Sequence, residues 1–253
     1  MVPAMMGSQL GARKSDVLRA VVSDYIRTGE PVGSTAVVRR YRLGVSPATI
    51  RNDMAALEEM GFLEQPHTSA GRIPTDLGYR FYVDGLPRGR GLTEHQRRAI
   101  AAFFGEPPPE LDEVLRRTAS LLSKLTRYGA VAQPPGAHHM FIGGAANIVS
   151  EETFERRETV RLLFEVLEDE EDTLLAWLRT LCVDGELAVR IGRENRMVAM
   201  REASLVVAPY RLRGRPAGSI AVIGPTRMHY PTAISAVRMV ASRLSHVVDT
   251  LAG

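Results

Sequence analysis

The chain is poor in the residues that staple small folds or hold metals. Of its 253 residues one is cysteine, Cys182, and one is tryptophan, Trp177. A single thiol excludes an internal disulfide and a cysteine-cluster metal site, and it fits a reducing compartment. Its Leu-Cys-Val setting marks an inert core thiol. Long apolar runs are missing as well, none approaching the roughly 18 residues of a membrane span. The first residues, MVPAMMGSQLGARKS, lack the apolar stretch of a secretory signal. The expectation is a cytoplasmic protein with no membrane partner and a disordered start over residues 1–14. A large charge of one sign is also absent: the formal net charge is +3 and the pI about 9.2. Residues 1–91 hold 12 Lys and Arg against 9 Asp and Glu. From totals of 32 and 29, that leaves 20 of each beyond residue 91. The basic surplus belongs to the N-terminal third, and it is too modest to establish nucleic-acid binding by itself.

Signals of catalysis are scarce too. No histidine has a partnered nucleophile, and no carboxylate pair forms a recognisable site, so the reading is a non-enzyme without a cofactor. His138 and His139 follow Gln133-Pro134-Pro135-Gly136-Ala137 with no Cys, Asp or Glu at ligand spacing, which makes a loop rather than a metal site. Phe141–Asn147 contains a glycine pair but lacks the Lys-Ser/Thr ending of a phosphate loop.

What the chain does have is concentrated between Ser46 and Thr75. Ser46 is a good N-cap and Pro47 suits a first helical position. Gly61 follows Met60 as a left-handed terminator. Between them Ile50, Met54 and Leu57 form one narrow apolar stripe. The opposite face carries Ala48, Thr49, Asn52, Ala55 and Ala56, with Arg51 on its flank. A small, polar face with Asn and Arg near the helix N-terminus is what a major groove accepts. Phe62–Gln65 and Arg72–Pro74 then pair as short strands around a tip of Pro66-His67-Thr68-Ser69-Ala70-Gly71, able to approach phosphates.

Two helices precede this stretch. Ser15 caps the first, with Val17, Leu18, Val21, Val22, Tyr25 and Ile26 inward and Thr28-Gly29 closing it. Pro31-Val32-Gly33 gives a short strand or extended turn. Ser34 caps the second helix, Thr35–Tyr41, with Arg39 and Arg40 outward. Three helices and a two-stranded flap over residues 15–85 make a winged helix-turn-helix. Its rival is a helical mini-domain that binds another protein. Thr49, Arg51 and Asn52 are the candidate base readers; Ser34, Ser46, His67, Thr68, Ser69 and Arg72 are the candidate phosphate and wing contacts.

Thr75 caps a fourth helix whose Tyr79, Phe81, Tyr82 and Val83 serve core or dimer packing. Residues 86–91 read as a linker. From 92 to 253 the pattern is α+β: helices near Thr93–Phe104 and Glu110–Thr126, and a strand at Tyr128–Ala132. Helices near Thr153–Leu167 and Glu170–Leu181 come next, flanking the acidic run Glu168–Asp172. Strands at Glu186–Ile191, Ser204–Leu212 and Ala217–Gly224 and a helix opened by Pro231 complete the chain. The apolar stripe Leu111, Val114, Leu115, Ala119, Leu122 and Leu125 fits either a subunit interface or a helix covering its own sheet.

Three blocks carry a resemblance: Glu30–Ser34, Gly44–Met54 and Gln65–Thr75 closely resemble the family of heat-inducible transcription repressors HrcA. Phe141–Ile148, Ile191–Asn195 and Gly218–Met228 resemble the later blocks of that family. The resemblance implies a dimeric repressor of chaperone operons that binds an inverted-repeat heat-shock operator, with the GroE chaperonin keeping it active. It also implies a GAF-like C-terminal α+β domain. Family members carry a long stretch between the blocks like Tyr128–Pro134 and Phe141–Ile148, and here a few residues join them. The expectation is a shortened domain whose sheet lacks several strands. A ligand-sensing winged-helix regulator of another regulon is the alternative.

Overall fold

In the first helix of the computed structural model, α1 (Ala12–Thr28), Val17, Leu18, Val21 and Val22 are buried, and so is Asp24. The structure describes residues 10–68, 70–87, 89, 91–136, 138–150, 157–168, 171–182 and 185–252. A carboxylate drawn into an apolar stripe needs partners. Asp24 finds Arg27, one turn along at 2.6 Å, and Arg40 of α2 (Ser34–Tyr41). Arg40, expected to point outward, is thereby a tie between two helices. Burial alone would raise the Asp24 carboxyl, but the hydrogen bonds from Arg27 and Arg40 outweigh it and hold the group below its ordinary value.

Two helix starts differ from the sequence reading. Helix α1 begins at Ala12 with Gly11 before it, so residues 12–14 are helical rather than disordered and Ser15 is not the cap. Residues 1–9 lie outside the described residues. Gly33, not Ser34, precedes α2, and Ser34 is its first residue with only 8% exposed.

Helix α3 (Pro47–Glu59) forms as its sequence dictates. The Ser46 hydroxyl accepts the Thr49 N–H at 3.1 Å, and Pro47 occupies the first turn. Gly61 closes the run at φ 77°. Ile50, Met54 and Leu57 are buried against α1 and α2. The wing consists of β1 (Leu63–Glu64) and β2 (Ile73–Pro74), antiparallel, with Val32 bridging to Arg72 as a third short rung. Thr75 caps α4 (Asp76–Asp84), whose Phe81 meets Phe62 edge-on at 5.9 Å. The aromatic cluster thus serves the core of its own unit.

The chain divides after Leu86 into two units. In the second, Thr93 and Gln96 make a full capping box for α5 (Glu94–Gly105). Helix α6 (Leu111–Thr126) packs on β3 (Gly129–Gln133) and β4 (Phe141–Gly143), which decides its stripe in favour of covering its own sheet. Then come α7 (Ala145–Val149), α8 (Arg157–Glu168), α9 (Glu171–Leu181), β5 (Ala188–Ile191), β6 (Ala203–Leu212), β7 (Arg215–Pro225) and α10 (Tyr230–Leu251). Thr153–Arg156 of the expected helix and Asp169–Glu170 of the acidic run fall outside the described residues.

The sheet runs β4-β3-β7-β6-β5 with every neighbouring pair antiparallel. The strands that are present form one continuous sheet. The short junction after Gln133 is the loop of a hairpin that sets Ala130 opposite Gly143 and Ala132 opposite Phe141, so the sheet passes through it without a gap. Alternation along the strands divides their side chains between two cores. Val131, Leu205, Val207, Ala221 and Ile223 pack with Leu163, Leu174, Trp177 and Leu178 of α8 and α9. Val206, Tyr210, Ile220 and Val222 lie buried on the face that carries α6 and α10. Cys182 is buried, and burial pushes its thiol up to about 11, so it stays protonated. Among the described residues no helix is long and apolar enough to cross a membrane.

The Asp24 arrangement has a pH signature. Its folded value lies below the unfolded one near 3.8, so its stabilisation is complete above that value and disappears as pH falls through the folded value. Asp24→Asn should cost about 2 kcal/mol, the scale of charge-assisted hydrogen bonds, at neutral pH. Denaturant melts of both proteins across acidic pH should converge; a deficit that stays constant into acid would contradict this assignment.

Candidate nucleic-acid interface

The outward surface of α3 begins at its capped end. Pro47, Ala48, Arg51 and Asn52 are exposed, and Ala55 and Ala56 are partly covered. Neither the Arg51 nor the Asn52 side chain makes an ion pair or hydrogen bond with a described residue. Their donors and acceptors remain available to a ligand. Thr49 is half-buried, its hydroxyl 3.0 Å from the Ser46 hydroxyl, so both groups are partly engaged in closing the helix N-terminus. Ser46 itself is exposed.

The inward side is held by a pair that the stripe of apolar residues concealed. Asp53 is 4% exposed, and Arg13 of α1 grips it in a fork, Nε at 2.7 Å and a terminal nitrogen at 3.1 Å. The hydrogen bond to Asp53, then its charge, raises the Arg13 guanidinium above its ordinary value. A bidentate fork fixes direction as well as distance. It therefore sets the roll of α3 about its own axis, and with it the aim of Arg51 and Asn52. The signal was present in the sequence, because position 53 lies at helical spacing from Ile50 and Leu57.

At the wing, His67 and Thr68 are exposed. Gln65, unnoticed in the sequence, reaches across the tip to donate to the carbonyls of Thr68 at 2.9 Å and Ala70 at 3.0 Å. That shapes the loop that presents them. Ser69 lies outside the described residues, as do Arg88 and Arg90 of the linker. Arg72 does not stand free at the wing edge: its guanidinium pairs with Glu58 of α3 at 2.8 Å and is largely covered. It ties the base of the wing to the helix. Ser34 is likewise turned into the fold.

Comparison with known proteins agrees with this geometry. A model of the DeoR-like helix-turn-helix domain matches residues 37–75, from within α2 through the wing. A model of the HrcA protein C-terminal domain matches residues 136–234. The heat-inducible transcription repressor HrcA of Moorella thermoacetica is 32% identical, the match taking in 96% of this chain and 99% of that one. That of Thermobifida fusca is 33% identical over 94% and 97%. The chain belongs to the HrcA family. A crystal structure at 2.2 Å of a hypothetical protein, 22% identical, covers 96% of this chain and 100% of its own with a TM-score of 0.84, so the fold is shared.

As an HrcA-family member the chain is a DNA-binding transcription repressor of the heat-inducible class, with its helix-turn-helix where the exposed face of α3 lies. It is also short for the family. The Moorella alignment spans 343 positions, against about 243 residues of this chain (96% of 253), so about 100 positions have no counterpart here.

Gly71 provides a test of wing placement. A Cβ there would stand 2.5 Å from the Val32 carbonyl carbon and oxygen, closer than real Cβ contacts come. Gly71→Ala should cost about 1–3 kcal/mol as the wing is pushed off that rung. Hydrogen exchange should show faster exchange at the Val32 and Arg72 amides, which bond each other's carbonyls at 2.9 Å; unchanged protection would refute the third-rung assignment.

Proposed function

We propose that this repressor binds an inverted-repeat operator ahead of chaperone genes, as a homodimer, in the cytoplasm. Arg51 and Asn52 are its principal base readers. The observation that carries the reading is the Arg51–Asn52 pair, without a partner among the described residues, at the capped end of a helix whose opposite side is locked by Arg13–Asp53. A guanidinium matches guanine O6 and N7, and an asparagine amide matches adenine N6 and N7. Thr49 and Ser46 sit at the helix N-terminus, where a phosphate is favoured by the dipole and by exposed N–H groups. His67 and Thr68, with Ser69 beside them, track the neighbouring backbone from the wing. Ser34 and Arg72 support this surface rather than touch DNA, in line with their burial and pairing. Dimerisation follows from the expected two-fold operator, since two α3 helices then meet the same face of the duplex. Support of the active state by the GroE chaperonin is carried over from the family.

Asn52→Ala should lower operator affinity by about 1–3 kcal/mol with little change on non-operator DNA, whereas Thr68→Ala should weaken both alike. Fluorescence anisotropy on the two duplexes reads this directly. Equal losses for Asn52→Ala on both would remove it from the base readers. Five base pairs added between half-sites should abolish tight binding, because about 10.5 make one helical turn. Undiminished binding to that duplex would argue against a fixed two-fold dimer.

A further inference from the structure

Away from the helix-turn-helix, the second unit has a cleft of about 430 Å³ between the start of α5 and the outer side of α10. Its charge is one-sided. Arg97, Arg238, Arg243 and His246 line it together with the hydroxyls of Ser235 and Ser242, and no carboxylate does. Arg238 and Arg243 have no ion-pair partner among the described residues. Among the described residues the Arg97 guanidinium donates to the carbonyls of Gly89, at 3.2 Å, and Leu92, at 3.4 Å, and meets no carboxylate. Leu92 and Met239 add an apolar strip. On α10 the lining residues recur every three or four positions, so they share one helix face.

The wall opposite α10 is fixed rather than loose. Gly91 lies so close to the first turn of α10 that a Cβ would fall 1.9 Å from the Pro231 carbonyl oxygen, and Thr232 donates its hydroxyl to the Gly91 carbonyl at 2.9 Å. A neighbouring cleft of about 600 Å³ shares Arg238, Ser242 and His246 but is also lined by Glu186 and Asp249, so its field is mixed. Arg97, Arg238 and Arg243 are exposed and have no carboxylate partner among the described residues; three guanidinium groups lining one cleft favour an anion, and the apolar strip favours one with a hydrophobic body.

We infer that this cleft is a binding site for a small organic anion, a phosphate monoester or carboxylate with an apolar body. The inference stands apart from the operator reading, since it involves none of the residues of α3 or the wing. Occupancy would make the second unit a sensor of a metabolite as well as a scaffold.

Phenyl phosphate is a suitable probe, with inorganic phosphate and phenol as its two halves, titrated into the full chain at constant ionic strength. Thermal shift and calorimetry should show saturable binding of phenyl phosphate, weaker binding of phosphate and none of phenol. Arg238→Glu should weaken phenyl phosphate about tenfold or more, the loss of one charge-assisted hydrogen bond. Ser242→Phe should plug the cleft with the same result. Arg98→Glu, an exposed change on α5 outside the cleft, should leave binding intact, and operator affinity should be unaltered in all three. Absence of saturable binding to the wild type, or binding undisturbed by both Arg238→Glu and Ser242→Phe, overturns the inference. So does loss of DNA affinity in Arg238→Glu with DNA displacing the probe, which would make the arginines backbone contacts. If Asn52→Ala fails as a base-reader test while the probe still binds here, the operator reading alone is wrong.

Discussion

A buried carboxylate in the apolar stripe of α3 is the constraint on which the rest of the N-terminal unit depends. Asp53 faces inward between Ile50 and Leu57, and an unpaired charge there would be intolerable. Arg13 resolves the problem from the far end of α1 with a two-point grip. The same solution recurs one layer away, where Asp24 joins Arg27 and Arg40. Apolar burial is non-directional, whereas a two-point fork to a buried acid also fixes direction. Glu58 with Arg72 extends the arrangement to the wing. Helix, turn and wing therefore present one surface rather than three independently mobile parts.

Much of this was legible in the sequence, and the reasons are local. Ser46-Pro47, Gly61 and Thr75 are start and stop signals read by near neighbours, and each element formed where those signals lie. The helix near Thr93–Phe104 and the strands at Ser204–Leu212 and Ala217–Gly224 were equally visible. What escaped was long-range. Arg13 and Asp53 are 40 positions apart, and nothing nearby announces that an arginine in an apparently ragged start will be needed by the third helix. Arg40 looked solvated because its own helix gave it no partner. Arg72 looked like a phosphate contact because it flanks a wing tip, yet Glu58 pairs with it at 2.8 Å and its side chain is largely covered. Ser34 was misplaced by one residue, enough to move it from a cap to a buried first turn.

The second unit holds a continuous sheet in a chain shorter than its relatives. Relatives carry about 100 positions more than this chain, yet β3 and β4 pair in register across a short loop and the antiparallel order continues to both edges. Antiparallel neighbours need only a tight turn between them, so the short junction after Gln133 returns the chain from β3 to β4 without opening the ladder.

The central claim, that the exposed side of α3 enters the major groove with Arg51 on a base edge, is tested most directly by methylation interference on operator DNA. Methyl groups at guanine N7 stand in the major groove, and those at adenine N3 in the minor groove. The account predicts that guanine N7 methylation in each half-site blocks binding, and that Arg51→Ala loses sensitivity at one such guanine. Interference confined to adenine N3, or a guanine pattern identical in wild type and Arg51→Ala, would contradict it.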